Sequence, residues 1–187
     1  MTTIVFFLEE PSAREMLKGV LPRLLSSEYQ VRFIYIIFQG KQDLEKNLEK
    51  RLRGWRTPNS VFVVLRDQDS GDCTKIKSNL IALCQKSGKD KILVRIACRE
   101  LESFYLGDLE AVEKGLELSG LAHKQNNSKY RSPDNLNHPA DELGDLTDKQ
   151  YQKIAGSRAI APYLKLEGNR SPSFNVLLSG IKNLLEV

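Results

Sequence analysis

Four short apolar runs alternate along the chain with segments that have helical periodicity. The runs are residues 4–8, 31–38, 61–65 and 92–97. They are rich in β-branched and aromatic residues and too short for a buried helix, which is typical of strands buried on both faces. Between the runs, apolar residues recur every third or fourth position, as on one side of a helix. This alternation predicts an α/β fold with a mainly parallel sheet of about four or five strands flanked by helices.

The pattern changes after Cys98. We expect a helix that begins over 99–106 and continues to Leu118, a long polar surface excursion over 123–148, and two closing helices. In the first half, three helices are predicted between the strands. The first of these begins at Pro11-Ser12, the second follows Gly40–Asp43, and the third spans about 74–85. The two closing helices span about 151–164 and 173–185. The chain is therefore predicted to form a single domain, with a core over about 1–120 and a loop-rich, helical extension over 121–187.

Composition excludes several classes of protein. The 187 residues suffice for one domain with its own core. The apolar runs are far shorter than the ~20 residues that a membrane span needs, and the N-terminus lacks a signal-peptide pattern. The three cysteines form no CxxC pair, which predicts reduced thiols and a cytoplasmic location. His123 and His138 have no partner at ligand spacing, so no zinc site is expected.

Acidic residues follow three of the four predicted strands. Because the carboxyl ends of parallel strands share one edge of a sheet, these side chains can converge on one crevice. Neighbouring carboxylates repel one another unless positive charge lies among them, and Mg²⁺ prefers carboxylate oxygens. The pattern predicts one shared site for Mg²⁺ or Mn²⁺. Its candidate ligands are Glu9 and Glu10 after the first strand, Asp67, Asp69 and Asp72 after the third, and Glu100 and Glu102 after the fourth.

Each acidic group also has a simpler explanation. The acids of 67–72 could cap a helix and shape a turn. Glu9-Glu10 and the pair Glu100 and Glu102 could be first-turn acids that interact with a helix dipole. The sequence alone leaves both explanations open.

Several basic residues are candidates for binding phosphate. The candidates are Lys41, Arg66, Arg99, Arg158 and Arg170. Each also has a simpler role. Lys41 could be an ordinary loop lysine, and Arg66 and Arg99 could neutralise the neighbouring acids. Arg158 and Arg170 could simply lie beside helix N-caps. Four further basic residues surround Trp55 over 50–56 and form either a solvated helix face or a surface for a phosphate backbone. Trp55 itself is expected to pack a helix onto the sheet rather than to stack on a base.

The residues at the ends of the first and third strands resemble the Toprim fold, the catalytic domain of topoisomerases, primases and OLD (overcoming lysogenization defect) nucleases. The matching strings are 6–9 (Phe-Phe-Leu-Glu) and 67–69 (Asp-Gln-Asp). In that family a glutamate and a DxD pair hold magnesium. The resemblance implies that Glu9 contacts metal or transfers protons and that Asp67 and Asp69 bind metal. Lys41 follows the second predicted strand and is a further catalytic candidate, because it could lean over the same edge and meet a phosphate. The segment 99–106 resembles an acidic helix of many OLD-type nucleases.

A closer resemblance covers most of the chain. The strings 9–12, 40–41, 66–72, 99–103 and 156–158 are similar to an uncharacterised bacterial family of Toprim-like proteins, often encoded beside an ABC- or AAA-type ATPase in loci that resemble anti-phage defence modules. The resemblance implies a metal-dependent nuclease acting on DNA or RNA. It implies as partners nucleic acid, such an ATPase and a second copy of the chain, and no membrane. Glu10 stands where many Toprim sequences have glycine.

Two other functions compete with the nuclease. One is a non-catalytic subunit that keeps the fold and binds or regulates a partner ATPase. The other, a phosphate-receiver domain, is disfavoured because receivers need a Ser or Thr and a Lys after their fourth and fifth strands. Here 97–99 (Ala-Cys-Arg) follows the fourth strand, and no lysine-ended fifth strand is evident.

Overall fold

The computed structural model describes residues 1–25 and 30–185. In this part of the chain the strands are β1 (Thr2–Leu8), β2 (Val31–Ile37), β3 (Ser60–Asp67) and β4 (Ile92–Ala97). The helices are α1 (Pro11–Leu24), α2 (Lys41–Arg53), α3 (Cys73–Lys86), α4 (Ser103–Leu106), α5 (Leu109–Gly115), α6 (Pro139–Leu146), α7 (Lys153–Ile160) and α8 (Pro172–Leu185). None of these described helices is long and apolar enough to cross a membrane.

The four strands form one sheet in the order β2-β1-β3-β4, and every neighbouring pair is parallel. In the register, Leu8 pairs with both Ile37 and Leu65, and Asp67 pairs with Ala97. All four carboxyl ends therefore lie at one edge, which confirms the predicted α/β fold with a parallel sheet. The acids that follow β1, β3 and β4 start from that common edge.

Alternating residues of the strands belong to two separate cores. Ile4, Phe6 and Leu8 pack with α1 and the helices after β4, whereas Val5 and Phe7 pack with α2 and α3. Because side chains alternate between the faces of a strand, odd-numbered residues of β3 face α1 and the later helices, and even-numbered residues face α2 and α3. This alternation decides on which side of the sheet the side chains at the end of β3, such as Arg66 and Asp67, lie.

The segment after β4 differs from its prediction in two places. The helix expected to run from 99 to 118 is interrupted, because α4 ends at Leu106 and Asp108 begins α5 by accepting a hydrogen bond from the Ala111 N–H. The predicted surface excursion over 123–148 contains α6, and its Leu143 is buried in the main core. The extension and the first half share that core. This supports the single-domain assignment, which stays a prediction.

Candidate metal centre at the carboxyl edge of the sheet

Glu9 meets the start of the DxD segment. Since Leu8 pairs with Leu65, Glu9 lies beside Arg66. The Glu9 Oε2 accepts a hydrogen bond from the Asp67 N–H at 3.1 Å and lies 3.8 Å from the Arg66 Nε. Burial raises the pKa of Glu9; the hydrogen bond from Asp67 opposes this, and the charge of Asp69 reinforces it. The structure thus places the Glu9 carboxylate against the Asp67 backbone and near the charge of Asp69.

Asp67 is the most strongly perturbed acid at this edge. Its side chain lies on the face of the sheet that carries α1 and the helices after β4, and the residue is 8% exposed. Burial raises the pKa of Asp67 well above its usual range, and the charges of Glu10, Glu102 and Glu9 raise it further. A hydrogen bond from the Leu101 backbone offsets only part of this rise. Ionised Asp67 is therefore destabilised by desolvation and by its neighbours together.

Glu102 lies below the same edge with no exposed surface. Its Oε1 accepts a hydrogen bond from the Tyr151 hydroxyl at 2.8 Å. Its Oε2 is buried and has no hydrogen-bond partner among the described residues. Burial raises the pKa of Glu102, and a nearby lysine, Lys153, counteracts this only in part. A buried carboxylate oxygen without a partner is costly, which points to a ligand that the protein itself does not supply.

Glu10 completes this group of acids, and Lys153 is its basic neighbour. The Lys153 Nζ lies 3.5 Å from the Glu10 Oε2, and the Ser12 hydroxyl donates to the other carboxylate oxygen. Burial alone would lower the pKa of Lys153, but the charges of Glu102, Glu10 and Asp67 outweigh it and the pKa is raised. We use the name acidic floor for Glu9, Glu10, Asp67 and Glu102.

Sequence reasoning did not identify Lys153 or Tyr151. Lys153 is the first residue of α7, and Tyr151 lies two residues before it. Both are far along the chain from the acids and reach the floor because α7 packs against α1. Neither residue belongs to a motif with recognisable spacing. The one sequence signal was the resemblance over 156–158, one turn further along the same helix.

Asp69 and Lys41 form an ion pair on the α2 side of the edge. The Lys41 Nζ lies 2.7 Å from the Asp69 Oδ2, and this hydrogen bond raises the pKa of Lys41. Asp69 has a φ of 54°, and its N–H donates to the Arg99 carbonyl at 2.6 Å. The predicted position of Lys41 over the edge agrees with this geometry, while its catalytic role stays a prediction.

Asp72 and Glu100 have structural partners at helix starts. Asp72 is the N-cap of α3 and accepts a hydrogen bond from the Lys75 N–H at 3.0 Å. The Glu100 Oε2 accepts from the Ala140 N–H, at the start of α6, at 2.7 Å. Such contacts satisfy amides that a helix leaves unpaired. The simpler explanation that the sequence offered for Asp72 therefore describes its contact, and the metal roles of both residues stay predictions.

Three of the predicted phosphate-binding arginines are bonded to other parts of the protein. Arg66 is buried and pairs with Glu45 of α2, Arg158 pairs with Glu15 of α1 at 2.8 Å, and Arg170 donates to the Gln125 carbonyl. These contacts stabilise the packing of the helices and the extension. Arg99 differs: within the described ranges it forms no ion pair, and it lines a cleft beside Asp69.

The basic residues around Trp55 lie at the opposite end of the sheet. The Trp55 Nε1 donates to the Ser60 hydroxyl, at the start of β3, at 2.9 Å. Its ring packs edge-on against Phe62, with 6.2 Å between the ring centroids. This contact agrees with the prediction that Trp55 packs a helix onto the sheet. The surrounding charges are remote from the acidic floor.

The donor set fits a hard divalent cation. Within the described ranges, no three His, Cys, Asp or Glu side chains are placed so that they could together hold a metal ion. A Mg²⁺ site does not need three protein ligands, because Mg²⁺ commonly binds one or two carboxylates and completes its shell with water and substrate phosphates. Asp67 and the partnerless Glu102 Oε2 supply such oxygens. A dication beside them would favour the ionised form of both acids.

Comparisons with known proteins place the chain in a family. A model of the family described as a domain of unknown function (DUF4276) matches residues 8–182. The chain belongs to this family. Its structure is similar to the C-terminal region of the Burkholderia pseudomallei OLD protein, with a TM-score of 0.56 and 17% identity over 96% of this chain and 97% of that one. This likeness concerns the fold, and it confirms the predicted Toprim-like architecture. No curated protein matches the chain.

Proposed function

We propose that this chain is a Toprim-type nuclease that uses Mg²⁺ or Mn²⁺ to cleave phosphodiester bonds in DNA or RNA. The acidic floor supports the proposal most directly. Burial raises the pKa of Asp67 and Glu102, and one oxygen of Glu102 lacks a partner among the described residues. Buried acids that destabilise one another are typical of functional sites, because they contribute little to stability without a ligand.

In this proposal the residues of the edge have distinct roles. Asp67 and one further carboxylate, from Glu9, Asp69 or Glu102, hold the cation, and water and substrate phosphate complete its shell. The remaining acids, including Glu10, contribute further negative charge. A bound dication would polarise the phosphoryl oxygen and lower the pKa of an attacking water. Glu9 is the candidate for proton transfer, because its raised pKa lies closer to neutrality than that of an ordinary glutamate. Lys41, through its ion pair with Asp69, keeps that carboxylate oriented at the edge.

The proposed partners follow from the same resemblance. The structure matches the C-terminal region of the OLD protein over nearly all of this chain. We therefore propose that the nuclease acts with a separate ABC- or AAA-type ATPase, in the cytoplasm, as the effector of an anti-phage defence module. A homodimer is part of this proposal. Co-purification of the chain with the product of a neighbouring ATPase gene would test the partnership.

A second candidate function is a non-catalytic subunit that binds or regulates an ATPase. The observation that favours it is the structural use of several edge acids: Asp69 pairs with Lys41, Asp72 caps α3, and Glu100 accepts from the start of α6. Such a subunit would associate with its partner, would not cleave nucleic acid with Mg²⁺ or Mn²⁺, and would tolerate loss of the Asp67 charge.

The two candidates are separated by a cleavage assay with a matched pair of variants. Plasmid DNA and tRNA are incubated with wild type, Asp67→Asn and Asp72→Asn in Mg²⁺ or Mn²⁺. Loss of several kcal/mol of charge stabilisation in the transition state predicts about a 1,000-fold slower reaction for Asp67→Asn. Asp72→Asn should cleave like wild type, since asparagine also caps helices well. Equal cleavage by both variants would contradict the assignment of Asp67.

A further inference from the structure

A polar cleft lies between the loops that follow β3 and β4 and the C-terminal extension, at the same carboxyl edge of the sheet as the acidic floor. The cleft has a volume of about 360 Å³. Three segments supply its walls: the loop after β3, the turn after β4 and the residues before α6. Its lining residues are Asp69, Ser70, Arg99, Glu100, Asn137 and His138. We use the name rim groove for this cleft.

The rim groove carries hydrogen-bond donors that have no partner within the part of the chain that the structure describes. Within residues 1–25 and 30–185, the side chains of Ser70, Arg99, Asn137 and His138 form no hydrogen bond or ion pair. The other basic candidates at or near this edge are bonded, as the pairs of Lys41 with Asp69 and Arg158 with Glu15 show. A guanidinium, an amide, an imidazole and a hydroxyl thus face one cleft while remaining available to a ligand.

The walls of the groove are connected by three hydrogen bonds. The Asp69 N–H donates to the Arg99 carbonyl at 2.6 Å, and the Arg99 N–H donates to the Gln68 Oε1 at 3.2 Å. Glu100 connects the turn after β4 to the start of α6 through the Ala140 N–H at 2.7 Å. These bonds form the groove before any ligand binds, which reduces the entropy lost on binding.

We propose that the rim groove binds the nucleotide next to the scissile phosphodiester, so that the substrate is a strand of at least two linked nucleotides. This inference rests on the proposed nuclease function. The planar fork of Arg99 suits bidentate contact with a phosphate. Asn137, His138 and Ser70 can donate to the sugar, phosphate or base edge. A volume of about 360 Å³ lies in the range of small-ligand sites, about 300–1,000 Å³.

The charges of the groove predict that strand binding depends on a divalent cation. Asp69 and Glu100 also line the groove, and both repel a phosphate. Arg99 offsets part of this repulsion, and a cation held by Asp69 and the acidic floor would offset the rest. A strand should therefore bind in Ca²⁺, which prefers oxygen ligands as Mg²⁺ does, and bind more weakly in EDTA.

The test measures binding rather than cleavage. A fluorescein-labelled 12-nucleotide single strand is titrated with the full chain in Ca²⁺, and Kd is read from fluorescence anisotropy. Arg99→Gln should weaken binding about 10-fold, as expected for loss of a charge-assisted hydrogen bond. The matched control Arg32→Gln removes the same charge from an exposed position near the start of β2, at the far end of the sheet, and should bind like wild type. Asn137→Ala/His138→Ala, at exposed positions, should weaken binding about three-fold and serves as the test if Arg99→Gln does not fold.

Competition separates a strand from a free nucleotide as the occupant. In wild type, a 5′-phosphorylated dinucleotide should displace the labelled strand at a concentration about five times lower than a mononucleotide, since only the dinucleotide reaches both the acidic floor and the groove. In Arg99→Gln this preference should nearly disappear. Equal competition by mononucleotide and dinucleotide in wild type would overturn the proposal.

Two results distinguish failure of the groove from failure of the nuclease function. Cleavage by wild type together with equal strand binding by Arg99→Gln and Arg32→Gln would overturn the groove alone. Binding that depends on Arg99 in a wild-type protein that never cleaves would support the groove and contradict the nuclease proposal. A wild type that binds no strand in Ca²⁺ would overturn the groove assignment.

Discussion

The acids at the carboxyl edge form two regions that differ in what stabilises their charge. The first region comprises Asp69, Asp72 and Glu100, which we call the rim acids. Asp72 and Glu100 accept hydrogen bonds from helix-start amides, and Asp69 pairs with Lys41. In the acidic floor, Asp67 and Glu102 are buried with raised pKa values. Residues of the same type, at equivalent places after parallel strands, thus stabilise the fold in one region and destabilise it in the other.

The two regions differ in the direction of these effects. A helix cap contributes about 1 kcal/mol and an exposed ion pair up to about 1 kcal/mol. Burial and neighbouring like charges instead disfavour the ionised form of Asp67 and Glu102. When these acids are ionised, the floor therefore opposes folding, whereas a rim acid supports it. Such an arrangement persists where a ligand uses the charge, which agrees with the proposed metal site.

The largest expected contrast is between Glu102→Gln and Glu100→Gln in the cleavage assay. Both changes remove one negative charge with little change in shape, and the amide oxygen of either glutamine can still accept a hydrogen bond. Glu102→Gln should slow cleavage about 100-fold, because the floor loses charge around the cation. Glu100→Gln should slow it less than about three-fold. Similar rates for the two variants would remove the distinction between floor and rim.

Stability should change in opposite directions in the two regions. In EDTA, Asp67→Asn should raise the free energy of unfolding by about 1–2 kcal/mol, since it removes a buried charge that its neighbours disfavour. Asp72→Ala should lower it by about 1 kcal/mol through loss of the α3 cap. Urea denaturation measures both, with Asp72→Asn as the control that keeps the cap. Destabilisation by Asp67→Asn would contradict the electrostatic account of the floor.

The pH dependence of stability sharpens the same comparison. The pKa of Asp67 is higher in the folded than in the unfolded chain. Its contribution is therefore most favourable below the ordinary pKa of aspartate and is lost as the pH rises through the folded-state value. In EDTA, wild type and Asp67→Asn should be about equally stable near pH 4, and the variant should gain an advantage toward pH 8. Excess Mg²⁺ at pH 8 should stabilise wild type more than the variant. A stability difference that does not change with pH would contradict the raised pKa.

The smallest expected effect concerns two tyrosines that donate to glutamates. Tyr151 donates to Glu102 in the floor, and Tyr130 donates to Glu142 in α6. Replacing either by phenylalanine should lower the free energy of unfolding by about 1 kcal/mol. Only Tyr151→Phe should also change the affinity for Mn²⁺, measured by isothermal titration, because only Glu102 belongs to the floor. A change in Mn²⁺ affinity with Tyr130→Phe as well would show that the readout is not specific.

The sheet could be predicted because its strands are buried on both faces. In β1 and β3 nearly every residue between the ends packs in one of the two cores, so the strands appear in the sequence as continuous apolar runs. The predicted ends differ from the observed ones by a few residues. β3 continues through Arg66 to Asp67, because both residues keep the strand register with β4 and the Arg66 side chain pairs with Glu9 and Glu45.

The region after β4 was harder to predict because short elements there are positioned by contacts from distant parts of the chain. The helix α6 did have a local signal, Pro139 at its first position with Asp141 and Glu142 in its first turn, but the surrounding polar residues obscured it. Lys153 and Tyr151 had no such signal. Their role depends on the packing of α7 against α1, which no spacing in the sequence encodes.

The position of a bound ion tests the central claim most directly. Crystals soaked in Mn²⁺ and measured by anomalous scattering should show a peak about 2 Å from a carboxylate oxygen of Asp67, with Glu9 or Glu102 as a neighbour in the same shell. Such a peak would establish that acids from separate strands share one dication. A peak only at Asp72 or Glu100, or no peak at the carboxyl edge of the sheet, would contradict the account.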